Sequence, residues 1–181
     1  MRVFRAPGCP NRGRLRVGPL DIPCALGRSG PVPRKREGDG GTPTGRMRVL
    51  GAYYRADRIS RPSTLLQLRP IGPAHGWCDD PASSLYNRPV RLPSGPSHER
   101  LWREDDLYDV ILDLGWNRHP AIRRRGSAVF LHVARSGFLP TEGCVAVERR
   151  LVNRILSRIG PRTVVDILAK PRRSRHQRLR P

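Results

Sequence analysis

The sequence predicts a β-rich α+β domain carrying one principal helix, and three observations predict it. Nineteen prolines and eighteen glycines in 181 residues cut the chain into pieces too short for long helices and well suited to strands joined by turns. Two compact apolar runs, residues 107–114 (LYDVILDL) and 127–133 (SAVFLHV), read as strands, the second almost continuously apolar and therefore central in a sheet. Past position 144, Val147, Leu151, Val152, Ile155, Leu156 and Ile159 recur at helical spacing. They predict one apolar face of a helix of about four turns, stopped by Gly160 and Pro161.

The remaining elements follow in order. Residues 2–25 alternate apolar and polar positions around the turn-formers at 7–12 and at Gly18-Pro19, as two or three short strands would. A Gly/Pro-rich stretch at 27–45, ending GDGGTPTG, is a shaped loop, because glycine permits positive φ and close backbone approach. Residues 47–54 read as a strand. Residues 59–103 are irregular and proline-punctuated, and they carry Trp77, Cys78, Asp79, Asp80, Tyr86, Asn87, Arg88 and His98; long irregular segments inside a compact domain are commonly functional. Residues 163–168 form a final strand. The length suits one domain, over 1–168, followed by a basic, solvated tail at 169–181 in which Lys170 and five arginines meet no acid.

Composition restricts the function classes. The formal charge is +20, from 35 basic and 15 acidic residues, and the isoelectric point is about 11.6. Such a surface attracts any polyanion, whether nucleic acid, anionic membrane or acidic cell-wall polymer. A basic nucleic-acid-binding protein is one reading, yet no helix-turn-helix, zinc finger or RNP aromatic pattern accompanies the charge, so no specific nucleic acid is expected. Cys9, Cys24, Cys78 and Cys144 show no CxxC and no histidine spacing, so neither metal nor disulfide framework is indicated. No cofactor is expected. No run of 18 apolar residues predicts a membrane span, and the opening residues lack an apolar signal core. Oligomeric state is not legible.

One pair of residues suggests covalent chemistry. Cys144 stands just before the expected helix, where a positive dipole end would favour a thiolate. Backbone N–H groups at Gly143 and Cys144 are placed to receive an oxyanion. His132, at a strand end twelve positions upstream, reaches the sulfur if the intervening loop folds back. The same residues also fit a buried structural cysteine and a histidine that merely makes a hydrogen bond.

Two blocks of sequence add weight. Residues 130–147, FLHVARSGFLPTEGCVAV, resemble the signature of YkuD-type L,D-transpeptidases, in which a strand-end His precedes a loop and a Ser/Thr-x-Gly-Cys turn, here Thr141-Glu142-Gly143-Cys144. PCALGRSG (23–30) followed by KREGDGGTPTG (35–45) is similar to the family's first half, and the likeness spans roughly 14–168. The resemblance implies a YkuD-like mixed β-sheet sandwich with one principal helix after the cysteine. It also implies an acyltransferase whose substrates, donor and acceptor, are peptidoglycan stem peptides. The Cys144 thiolate would form a thioester, His132 would move the protons, and a main-chain carbonyl, Val133 being nearest, would orient the imidazole. An amine acceptor gives a cross-link, 3-3 or a non-standard type such as 1-3; water gives L,D-carboxypeptidase activity. The substrate class implies a periplasmic or cell-wall location.

Two positions depart from the family pattern: Glu142 stands where His is usual, and Ala146 where Asn or Arg is usual. A carboxylate facing the thiol would oppose its ionisation, so Glu142 is expected to face a substrate amine or an arginine instead. Thr141, Glu142 and Val133 are taken as substrate-side residues with Trp77, Tyr86 and Arg88, the last as a carboxylate clamp. Trp77 and Tyr86 also fit a plain core.

Overall fold

A computed structural model describes residues 1–169; most of the basic tail, residues 170–181, lies outside the described residues. The first three strands, β1 (Arg2–Ala6), β2 (Cys9–Val17) and β3 (Leu20–Ala25), form an antiparallel meander turned at Gly8 and Gly18. Period-two alternation sends Leu15, Val17, Leu20 and Ile22 inward and leaves Arg14 and Arg16 outside, where both pair with Asp21. The Gly/Pro-rich loop contains a short parallel pair, β4 (Pro31–Val32) and β5 (Thr42–Pro43), before β6 (Gly45–Arg48) and β7 (Gly51–Tyr54). Next come β8 (Leu68–Pro70), β9 (His75–Cys78), β10 (Pro89–Arg91) and β11 (His98–Arg100), then β12 (Val110–Asp113), β13 (Phe130–Val133), β14 (Val145–Val147), the helix α1 (Arg149–Leu156) and β15 (Val164–Leu168).

Ten strands make one mixed sheet in the order β6-β15-β1-β2-β3-β14-β13-β12-β7-β8, and β10-β9-β11 make a small second sheet. Strands β6 and β7 lie nearly at opposite ends of the large sheet, yet only Val49 and Leu50 separate them. Two residues span roughly 7 to 10 Å, so the sheet has to curl until its ends meet. The seam is hydrogen-bonded: Val49 N–H donates to Thr163 O and Leu50 N–H to Asp113 O, each at 3.0 Å. Gly115 sits at this seam with φ +71°, where a Cβ would come within 2.2 Å of Arg48 O; glycine is required there.

The curl encloses an aliphatic core that α1 completes with Leu151, Val152, Ile155 and Leu156. A smaller, aromatic cluster of Tyr53, Trp77, Tyr108, Ile111, Phe130 and others covers the other face of the same strands. This is the expected β-rich architecture with one helix after Cys144.

Several boundaries differ from those read in the sequence. The helix runs for eight residues, not about four turns: Val147 belongs to β14, which pairs in parallel with β13, and Ile159 is buried in the turn beyond the helix. The ladder claims the β-branched residues at 145 and 147, although the apolar spacing continues through them. Residues 47–54 are two strands because the seam breaks them. Strand β13 begins at Phe130 because Ala128 adopts φ +50°, outside a strand conformation.

Candidate active site

The site is built across the parallel pair β13/β14. Leu131 lies opposite Val145 and His132 opposite Ala146. Side chains alternate across a sheet, so Phe130 and His132 share one face with Cys144 and Ala146, while Leu131, Val133, Val145 and Val147 point into the aliphatic core. His132 on β13 and Cys144 immediately before β14 therefore share one face, and both line a cavity of about 500 Å³.

His132 Nδ1 lies 2.8 Å from Val133 O. A carbonyl can only accept, so Nδ1 carries the proton and Nε2 of the neutral ring is an acceptor. Burial lowers the imidazole pKa from 6.5 to about 4, against the raising effect of the Val133 carbonyl. The Tyr108 ring packs edge-on against it at 5.3 Å, and the Tyr108 hydroxyl donates to Glu99 Oε1 at 2.5 Å.

Cys144 Sγ donates to Ala128 O and accepts from Phe130 N–H, each at 3.3 Å. Burial pushes its pKa from 9.0 up to about 12, Glu99 adds to the rise, and Phe130 N–H and then Lys35 oppose it. The helix end expected to activate the thiol is elsewhere: Cys144 is followed by β14, and α1 starts only at Arg149. Burial thus favours the neutral form of both groups, thiol and imidazole.

The turn before Cys144 is held from both halves of the chain. Thr141 Oγ1 donates to Cys144 O at 2.7 Å and accepts from Gly143 N–H at 3.2 Å. From the first half, Thr42 Oγ1 donates to the same Cys144 carbonyl at 3.4 Å, and Arg28 N–H donates to Thr141 O at 2.9 Å. The two sequence blocks thus meet at the cysteine. Gly143 has φ +138°, and a Cβ there would lie 2.8 Å from Gly41 O; no other residue fits without moving the backbone.

The structure sorts the sequence-selected residues. Thr141, Glu142, Gly143, Cys144 and His132 line the cavity, as does Asp79. Glu142 forms an ion pair with Arg28 at the exposed rim. Val133 contributes its carbonyl; its side chain lies in the aliphatic core. Trp77, Tyr86 and Arg88 are not among the cavity residues. Trp77 is 1% exposed and packs edge-on under Phe130 at 4.9 Å. Tyr86 donates its hydroxyl to Glu37, which does line the cavity. Arg88 is exposed and takes part in the turn by its backbone.

Four residues have places here that the sequence did not single out: Lys35, Glu99, Tyr108 and Ala128. The only visible signal was rarity, since Lys35 and Lys170 are the only lysines in the chain. Asn87 acts as a clamp for the loop below the thiol. Its Oδ1 accepts from Trp77 Nε1 and Ala128 N–H at 3.0 and 3.1 Å, while Nδ2 donates to Trp116 O and Asn117 O. Asn87 thereby fixes Ala128, whose carbonyl receives the thiol.

A family model, the YkuD L,D-transpeptidase catalytic domain, matches residues 11–167. No curated protein and no solved structure matches the chain.

Proposed function

The chain belongs to the YkuD family of L,D-transpeptidase catalytic domains, cysteine-dependent enzymes that act on peptidoglycan peptides, and from that premise we propose that it exchanges stem-peptide bonds through a thioester on Cys144. The observation carrying this reading is the His132 Nδ1 to Val133 O bond, which leaves Nε2 as the proton acceptor of a ring that shares its sheet face with the thiol. As the donor stem fills the cavity, Nε2 takes the thiol proton and Sγ attacks the carbonyl on the L side of an L,D bond. The carbonyl pair moves onto oxygen. Collapse breaks the C–N bond, and the imidazolium returns its proton to the departing D-amino acid. An acceptor amine then takes the acyl group and forms a cross-link of the 3-3 type or a non-standard one such as 1-3.

Thr141 and Gly143 serve by shaping the turn. Glu142, paired with Arg28 at the rim, bears on substrate choice. Trp77 and Tyr86 support Phe130 and Glu37 from beneath rather than touching a stem. The reading places the protein where stems are, in the periplasm or cell wall, with catalysis confined to 1–168 and the basic surface serving to hold the anionic polymer.

Intact-protein mass after mixing with a stem tetrapeptide tests the thioester. An acyl adduct on Cys144 is expected, and an adduct mapping to Cys9, Cys24 or Cys78 overturns the assignment. Muropeptide analysis after incubation then identifies the bond made; trimmed stems without new cross-links indicate a carboxypeptidase.

A further inference from the structure

The turn leaves the oxyanion short of a donor. Gly143 N–H, one of the two backbone groups the sequence offers, is spent on Thr141 Oγ1. Cys144 N–H has no acceptor among the described residues. A developing oxyanion in a water-poor site is ordinarily met by two or more fixed donors, so a second one is needed.

Lys35 is positioned to be that donor. It lines the cavity with Cys144, and its side chain is only 4% exposed. An ammonium carries three donor hydrogens. Two are used, on Arg36 O at 3.0 Å and on Asp39 Oδ1 at 2.5 Å, and the third has no acceptor among the described residues. Nζ would lie 3.5 Å from a Cβ built on Gly143, so the cation sits against the nucleophile's turn. A Cβ at Gly126 would fall 2.8 Å from Lys35 Cγ, so glycines on both sides make room for it.

Burying a cation is costly unless it is paired, and the one carboxylate paired with it is itself shared. Asp39 also accepts from Arg36 N–H and Gly41 N–H, so positive potential persists around Nζ. The compact ammonium suits this slot better than a planar guanidinium, which accounts for a lysine in a chain whose other cations are almost all arginine.

Resting on the acyl-transfer reading for its nucleophile, we propose that the Lys35 ammonium joins Cys144 N–H in holding the oxyanion of the tetrahedral adduct. Lys35 is then a catalytic residue. It acts when the carbonyl pair moves onto oxygen and releases that oxygen when the carbonyl reforms. Its influence on the free thiol is secondary, since it ranks last among the groups acting on Cys144.

The test compares two reagents on the full chain, with modification mapped to Cys144 by peptide mass. p-Nitrophenyl acetate acetylates the thiol through a tetrahedral oxyanion and expels nitrophenolate; iodoacetamide alkylates it by displacement of iodide, with no oxyanion. Lys35→Met combined with Asp39→Asn removes both charges together and leaves no orphaned carboxylate. Acetylation is expected to fall about a hundredfold or more, and alkylation at the same pH by less than about tenfold. Equal losses in both reactions, or unchanged acetylation in a folded variant, overturn the proposal. Asp39→Asn alone keeps the ammonium, so acetylation should hold or rise, and a hundredfold loss there overturns the proposal even if the double variant does not fold. Wild-type protein that is acetylated at Cys144 but forms no adduct with any stem leaves Lys35 in its role and overturns the stem-peptide reading. Wild-type protein that takes up no acetyl group overturns both.

Discussion

The two faces of strands β7, β12, β13 and β14 are both buried, and they do different work. On the inner face Ala52, Tyr54, Val110, Leu112, Leu131, Val133, Val145 and Val147 join an almost wholly aliphatic core closed by α1. On the other face Tyr53, Ile111, Phe130 and Cys144 join Trp77, Leu101, Leu107 and Tyr108, and His132 packs among them. Both faces are buried, but apart from the Tyr54 hydroxyl and the Cys24 thiol the inner face is aliphatic, whereas the other holds the buried polar groups Asp113 and His132 with Cys144. A buried aliphatic layer gives cohesion without directional demands. The aromatic layer can hold polar groups because ring edges, backbone carbonyls and Asn87 give each of them a partner. Two cysteines make the same point. Cys24 on the inner side and Cys144 on the other both have thiol pKa values pushed up to about 12 by burial, so burial alone does not make a nucleophile. Of the two, Cys144 shares its sheet face with an imidazole, His132, whose Nε2 is the acceptor nitrogen.

The comparison can be broken first at the nucleophiles. Cys144→Ala should abolish thioester formation, exchange and hydrolysis together, whereas Cys24→Ala should leave turnover within about twofold of wild type. Adduct mass and turnover check both, and activity surviving in Cys144→Ala would sink the mechanism. Adjacent residues sharpen it next. His132→Ala should lower turnover by about a hundredfold to ten-thousandfold with no further loss when combined with Cys144→Ala. Leu131→Ala, one residue away on the inner face, should cost about 2 to 5 kcal/mol of stability. Below its lowered melting temperature it should leave the alkylation chemistry of Cys144 intact. Denaturant titration and single-turnover rates separate the two, and a Leu131 variant that is stable but inactive would erase the distinction between the faces.

Acid and alkali should also tell the faces apart. His132 is held at a pKa of about 4, below its ordinary 6.5. The unfolded chain therefore binds a proton that the folded chain refuses, and stability falls as pH drops from 6.5 toward 4. Both thiols are raised from 9.0 to about 12, so the unfolded chain loses protons first and stability falls as pH rises above 9. His132→Gln should flatten the acid limb alone, and Cys24→Ala and Cys144→Ala should each flatten the alkaline limb. Denaturant midpoints across pH measure this, and an acid limb indifferent to His132 would contradict its burial as a neutral ring.

The smallest effect is expected at the rim. Glu142 is exposed and paired with Arg28, and exposed ion pairs contribute little. Glu142→His should change Cys144 alkylation by less than about threefold while shifting preference among stem peptides. An alkylation rate that moves as much as substrate preference would place Glu142 against the sulfur instead.

By itself the sequence missed the four short strands within 59–103, but it determined the β-rich fold class and the helix after Cys144, and it offered Cys144 and His132 as candidate nucleophile and base. Those follow from local pattern: period-two and helical spacing, glycine and proline punctuation, and two motif blocks at 23–45 and 130–147. Only the tertiary structure decided where the chain would curl, because the seam joining Val49 and Leu50 to Thr163 and Asp113 depends on residues more than sixty positions apart. The same holds for the end of the helix, where pairing with β13 claims Val145–Val147 from an apolar pattern that fits either period. It holds most of all for the electrostatics of the site. Lys35, Glu99 and Tyr108 carry no local signature, and the thiol and imidazole owe their shifted pKa values to burial, which depends on what distant segments cover.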